Sequence, residues 1–173
     1  MASTTSMLRS VSPIALRPDE GEALWFLGHL AIVKAAGEVT GGRFAMIENL
    51  VPQGLGPPLH MHRREDEWFY VLDGELTFWV DGRVIAAPAR SFVYGPRNIP
   101  HTFTVASLTA RYLVAVQPAG FENFVRTLAR PAEALTLPPS GVAPPSPERL
   151  TKVAREYGIE ILGPPGIPQS TDS

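Results

Sequence analysis

Cysteine is absent from the 173-residue chain. That absence excludes disulfides, thiolate metal sites, iron–sulfur clusters and a cysteine nucleophile together. Any metal must then sit on imidazole, carboxylate and water, a ligand set that suits Fe, Mn, Ni, Cu or Zn. An excess of one charge is equally lacking. Fifteen Lys and Arg stand against 17 Asp and Glu, for a formal net charge of −2. No basic run exceeds the pair Arg63–Arg64, so nothing draws the chain toward nucleic acid or an anionic membrane surface. No segment approaches the ~18 consecutive apolar residues of a membrane span. The stretch from Met1 to Glu20 also lacks the apolar core of a secretory signal. A soluble cytoplasmic protein is the expectation. No internal repeat is visible, which predicts one domain and not a tandem pair.

What is present is an ordinary globular balance, 45% apolar and 18% charged. Between Ala23 and Pro118 it is cut into short β-prone runs by turn signals, the pattern of an all-β sandwich or barrel. Candidate strands cover residues 23–27, 30–35, 43–51, 59–63, 67–72, 75–80, 83–86, 91–94, 101–105 and 111–117. Thr40-Gly41-Gly42 marks a turn, and Asp73-Gly74 and Asp81-Gly82 suit tight hairpins, because such residues accept φ > 0. Residues 1–20 read as a mobile arm, 21–118 as the barrel, and 119–173 as a helical extension with a Pro-rich tail. In that extension Phe121, Phe124, Val125 and Leu128 fall at helical spacing, predicting a helix over 120–130. Ser146-Pro147-Glu148 opens a second helix that stops at Gly158. A short apolar segment, Ile159 to Leu162, follows it. The extension either lies over the barrel mouth as a lid or packs on the outside of the barrel, the second being the plainer expectation.

Of the four histidines, three fall in a chemically purposeful pattern. His60 and His62 are two apart, so on a strand they share a face. Glu67 is an odd number of residues beyond His62, and an unbroken strand would turn it away. The fully charged run Arg63-Arg64-Glu65-Asp66 lies between them and predicts a break there. After the break Glu67 opens the apolar run through Leu72 on the histidine face. A carboxylate heading so apolar a strand is costly to bury alone, and a metal partner removes the difficulty. His101, with Phe103 and Val105 on its face, heads a later strand. Glu65 and Asp66 read as solvated rim charges, and His29 as structural.

The frame around these residues resembles the cupin superfamily. Its first motif runs Gly, five residues, His-x-His, three or four residues, Glu, six residues, Gly, and Gly54, His60, His62, Glu67 and Gly74 match it fully. The second motif is worn: Pro96 and His101 are kept, Asn98 stands for a Gly, and Arg90 and Val105 replace the outer Gly and Asn. Asn tolerates the left-handed backbone that the Gly position needs, so the turn is expected to persist. The resemblance spans about Ala23 to Pro118; beyond it, the helix starting near Phe121 and the closing segment from Ser146 to Pro165 resemble small bacterial cupins grouped with quercetin 2,3-dioxygenases. It implies a double-stranded β-helix, the jelly-roll barrel, holding one divalent transition metal on His60, His62, Glu67 and His101. It also implies substrate contact by Phe69 and Phe103, each two residues beyond a ligand. Tyr94, Met46 and Trp25 are further pocket candidates.

Cupins host many reactions, so the fold does not name one. Few charged groups are expected inside, which disfavours phosphate-bearing substrates, since these need Lys or Arg. The expectation is a dioxygenase using O2 on an aromatic, flavonol-like or polyketide-like small molecule, with Glu67 as the base. A non-oxidative isomerase, cyclase or decarboxylase, and a ligand-binding cupin without turnover, are the alternatives. The resemblance also implies a homodimer, since small single-domain cupins usually pair. The two apolar sides of the strand opening at Glu67 fit a sheet covered by the barrel interior on one face and by a partner or the tail helices on the other.

Overall fold

Alternating apolar and polar side chains set much of this chain in strands with one face sealed. The structure, a computed structural model, describes residue 11 and residues 13–169; the rest of the expected arm, residues 1–10 and 12, lies outside the described residues. In chain order the elements are β1 (Glu22–Phe26), β2 (His29–Ala35), α1 (Gly37–Thr40), β3 (Ala45–Pro52), β4 (Pro58–His62) and β5 (Asp66–Asp73). There follow β6 (Glu75–Val80), β7 (Arg83–Pro88), β8 (Phe92–Gly95), β9 (His101–Val105) and β10 (Thr109–Gln117). The chain closes with α2 (Phe121–Leu128), β11 (Arg130–Pro131), α3 (Pro147–Glu156) and β12 (Ile159–Pro165).

Two antiparallel sheets face each other. One has the order β11-β1-β2-β3-β10-β5-β8, the other β12-β4-β9-β6-β7. The two sheets form the expected jelly-roll barrel, with a helical extension at its C-terminal side. Alternate residues of β3 and β10 fill the space between the sheets: Ile47, Val51, Ala110, Val114 and Val116 are at most 5% exposed. From the facing sheet come Leu76, Phe78, Phe103 and Val105. Phe78, fully buried, meets the Phe69 ring at 5.1 Å and the Phe103 ring at 5.3 Å, in tilted and edge-on contacts.

All ten expected strands exist, most with ends shifted by a residue or two. Asp81 and Gly82 (φ 46° and 83°) form the tight turn joining the paired β6 and β7. Asp73-Gly74 does not close a hairpin, because β5 and β6 lie in different sheets. A Cβ on Gly74 would lie 2.3 Å from the Thr109 carbonyl oxygen, so here glycine serves a close crossing. A hairpin without a sequence signal joins β1 to β2, with Leu27 at φ 48° and Gly28 at φ 87°.

The last third is woven into both sheets. β11 pairs with β1, and β12 pairs with β4 as Ile159↔His62 and Ile161↔His60. Ser146 caps α3 by accepting from the Arg149 N–H. Among the described residues no helix is long and apolar enough to cross a membrane.

Candidate metal centre

The β4 strand presents His60 and His62, β5 presents Glu67, and β9 presents His101. One nitrogen or oxygen atom from each lies within 4.8 Å of all the others. Three neighbouring strands make that possible: His60 is registered with His101 across β4 and β9, and Glu67 comes from the facing sheet. The expected strand break is real. Residues 63–65 leave the β4 path, which lets Glu67 return inward.

Each imidazole is oriented from behind. His60 Nδ1 lies 2.8 Å from the Pro58 carbonyl oxygen, and His101 Nδ1 lies 2.9 Å from that of Ile99. A carbonyl only accepts, so both Nδ1 atoms carry a proton, which leaves each Nε2 as the atom that would meet a metal. His62 is held differently, its Nδ1 3.3 Å from Glu65 Oε2. Glu65 is only 4% exposed, so it is a buried partner of His62 and not the solvated charge expected from its charged neighbourhood. Asp66 does sit at the rim, paired with Arg97 at 2.8 Å. Asn98 takes the left-handed backbone expected of it (φ 64°) and donates its N–H to the His62 carbonyl.

Electrostatics in the cluster follow from burial and like charge. Burial and then the His101 and His62 rings bring His60 down to about 3. For Glu67, burial pushes the carboxyl up, but the His62, His101 and His60 imidazoles outweigh it and bring it to about 2. His101 Nε2 lies 2.7 Å from Glu67 Oε2. His62 Nε2 is sealed from solvent and has no hydrogen-bond partner. An orphaned, buried lone pair is costly, and here it converges with two other imidazoles and a carboxylate. The donor set therefore fits a divalent transition ion.

A cavity of about 90 Å3 opens onto His60 and Glu67. Phe69 and Phe103 line it as expected, with Tyr112, Leu55 and Phe121 among the other walls. No Lys, Arg or Asp is among the lining residues. Three candidates are not brought to it. Tyr94 is 45% exposed and stacks on Trp68 outside the barrel, because β8 registers Gly95, not Tyr94, with Glu67. Met46 shares its face of β3 with Glu48, away from the inward Ala45 and Ile47. Trp25 packs with Leu30 and Ile32 in a separate cluster and donates Nε1–H to the Thr136 carbonyl.

Sequence reasoning missed Tyr112, His29, Asn49 and Phe121, all of which line the cavity. Burial, and then the Glu67 carboxylate, push the Tyr112 phenol far above its usual range. The alternation of Ala110, Tyr112, Val114 and Val116 was the signal that could have found it. No such signal existed for Phe121 and Val125, which bring α2 to the cavity wall. Phe121 packs edge-on against His62 at 5.5 Å. The extension thus reaches the cavity wall and does not pack only on the outside of the barrel.

Residues 46–116 of the barrel match the family model described as Cupin domain. Among curated proteins the chain is similar to quercetin 2,3-dioxygenase of Bacillus subtilis (strain 168), 30% identical over 138 residues. That match takes in 80% of this chain and 41% of the relative, so the chain spans less than half of that protein's length. Among solved structures it is similar to a predicted oxalate decarboxylase from Thermotoga maritima (TM-score 0.54, 18% identity, 61% of this chain and 99% of that one). It is also similar to an RmlC-like cupin from Shewanella frigidimarina (TM-score 0.52, 17% identity, 61% and 89%). At such identities these two structures establish the fold alone.

Proposed function

We propose that the chain is a metal-dependent dioxygenase acting on an aromatic, flavonol-like or polyketide-like small molecule. The observation that carries this reading is the juxtaposition of a ligand-competent cluster with a cavity walled by Phe69, Phe103, Tyr112 and Phe121 and free of Lys and Arg. An apolar ring suits those walls, and a phosphate does not. The likeness to a quercetin dioxygenase supports the same class.

His60, His62, Glu67 and His101 would hold the ion, which supplies Lewis-acid and one-electron chemistry when bound. The chain's own groups do the rest. Phe69 and Phe103 seat the ring face against the aromatic core and keep water from it. A Glu67 carboxylate oxygen takes the proton of the substrate hydroxyl. His60 and His101 are held in place by the Pro58 and Ile99 carbonyls behind them. The cavity is small beside the ~300–1,000 Å3 of common ligand sites, so a substrate of several rings requires the Leu55 or Phe121 wall to move.

Oxygen uptake with a panel of flavonols and catechols, using metal-replete protein, tests the reading. Uptake in step with substrate loss is expected. Anaerobic turnover would instead place the chain among isomerases, cyclases or decarboxylases, and binding without turnover among ligand-binding cupins. Pairing with a second copy is part of the proposal. Met46, Ala115, Trp68 and Tyr94 form one apolar row across the outer face of the larger sheet, in register. Light scattering at micromolar concentration should return twice the chain mass.

A further inference from the structure

The cavity has a second polar element that the metal cluster does not use. His29 and Asn49 stand on its wall, from β2 and β3. The tight turn at Leu27-Gly28 sets His29 directly opposite Phe26, whose ring it meets edge-on at 5.4 Å. Asn49 is 4% exposed and its side chain is held at both ends. Its Nδ2 donates to the Ile47 carbonyl at 3.4 Å, and its Oδ1 lies 3.2 Å from His29 Nε2.

These contacts fix where the His29 proton sits. The Ile47 carbonyl only accepts, so the amide nitrogen of Asn49 must face it and the amide oxygen must face His29. That oxygen also only accepts, so His29 Nε2 carries hydrogen. Burial, against the opposing Asn49 contact, lowers the imidazole to about 4, which keeps it neutral at physiological pH. In a neutral ring protonated at Nε2, Nδ1 is an acceptor. No partner for Nδ1 exists among the described residues, and the atom is not sealed, since His62 Nε2 alone is both buried and unpartnered. Among the described residues His29 makes no ring contact with the three cluster imidazoles, its one aromatic neighbour being Phe26.

We infer that His29, set by Asn49, is a specificity-determining subsite whose Nδ1 accepts a hydrogen bond from a substrate hydroxyl other than the one that meets the metal cluster. The inference rests on reading the cavity as an aromatic-substrate pocket, and it narrows that class to rings bearing a further hydroxyl. A ligand that expels water from this wall without supplying a donor leaves Nδ1 unsatisfied. Sites built around such a polar group reject the analogue lacking the hydroxyl more strongly than apolar walls reject an added one.

Two matched pairs of small catechols test it, each exchanging a methyl for a hydroxyl: 4-methylcatechol against 1,2,4-benzenetriol, and 3-methylcatechol against pyrogallol. Binding is measured without oxygen on the zinc-loaded full chain, with the wild type compared with His29→Phe and Asn49→Leu. In at least one pair the hydroxylated compound should bind about tenfold tighter or more to the wild type. Both variants should lose that preference while the methyl compound binds as before. Nitrogen-detected NMR gives a second readout that needs no variant. It should show His29 as the Nε2–H form, with Nδ1 shifting when the preferred compound is added. An Nδ1–H form, an unchanged preference in His29→Phe, or no binding by any of the four compounds overturns the subsite. A lost preference in the variants without oxygen uptake by the wild type leaves the subsite standing and removes the dioxygenase reading. The reverse pattern does the opposite.

Discussion

Glu67, Phe69 and Val71 turn into the barrel from β5, while Trp68, Tyr70 and Leu72 turn outward, Tyr70 and Leu72 being 43% and 40% exposed. Both faces are rich in apolar and aromatic groups, so hydrophobicity alone cannot say which one is inside. The carboxylate decides. It can be buried only where imidazoles meet it, and that fixes the parity of every other side chain on the strand. Charges show the same division. On the inner side Glu65 and Glu67 are sealed against histidines. On the outer side Glu48 pairs with Arg111 and with Lys34, and Asp66 with Arg97, in partly exposed contacts. The inner carboxylates are desolvated and depend on their partners, whereas the outer pairs contribute little to stability.

Substitutions on the two faces should therefore differ sharply, and the largest effect belongs to a ligand. His101→Ala should abolish stoichiometric metal content, read by elemental analysis, and with it any oxygen uptake; full retention of metal would remove the basis of the site. Next comes Phe78→Ala, which should cost about 3–5 kcal/mol in urea unfolding, as large-to-small changes in sealed cores do. A loss under 1 kcal/mol would mean that the inner layer packs loosely. Glu65→Ala should weaken metal binding about 10–100-fold by competition with a chelator, because His62 loses the group that orients it. Unchanged affinity would return Glu65 to the merely structural class.

A subtler difference lies in acid. The His29 imidazole falls from 6.5 to about 4 on folding, so between those values the unfolded chain binds the extra proton. Its contribution to stability is complete above pH 6.5 and is lost as pH falls toward 4. Because the residue is half-buried, the effect is modest. In the metal-free chain, His29→Phe should show a shallower loss of urea midpoint between pH 7 and pH 4.5 than the wild type, and parallel curves would refute this assignment. Smallest of all, Tyr94→Ser on the outer face should change monomer stability by no more than about 0.5 kcal/mol. A larger loss in dilute solution would show that the outer row is part of the core.

Much of this division was legible beforehand, and the exceptions have physical causes. His60, His62 and Glu67 came from fixed spacing plus the charged break between strands, and the structure gathers them with His101. Met46 was misplaced although Glu48, two residues on, already marked its face as the outer one. Tyr94 was misplaced because the register of β8 on β5 is a long-range pairing that strand periodicity does not reveal. Glu65 was hidden more deeply. In a turn the side chains follow no period, so one buried carboxylate among four consecutive charges looks like its neighbours. The partner of β12 was equally out of reach, because a strand carries no label for the edge it will join.

That last pairing has a consequence for how the site comes into being. The β4 strand lies between β9 and β12 in its sheet, so its second edge is bare until residues 159–165 arrive. Bare edges recruit other chains, and contacts this distant in sequence close slowly. During synthesis the histidine pair is therefore made early and sheltered late. The Pro164-Pro165 end of β12 supplies few backbone donors for a further strand. Once docked, it converts the most vulnerable border of the histidine strand into a finished one.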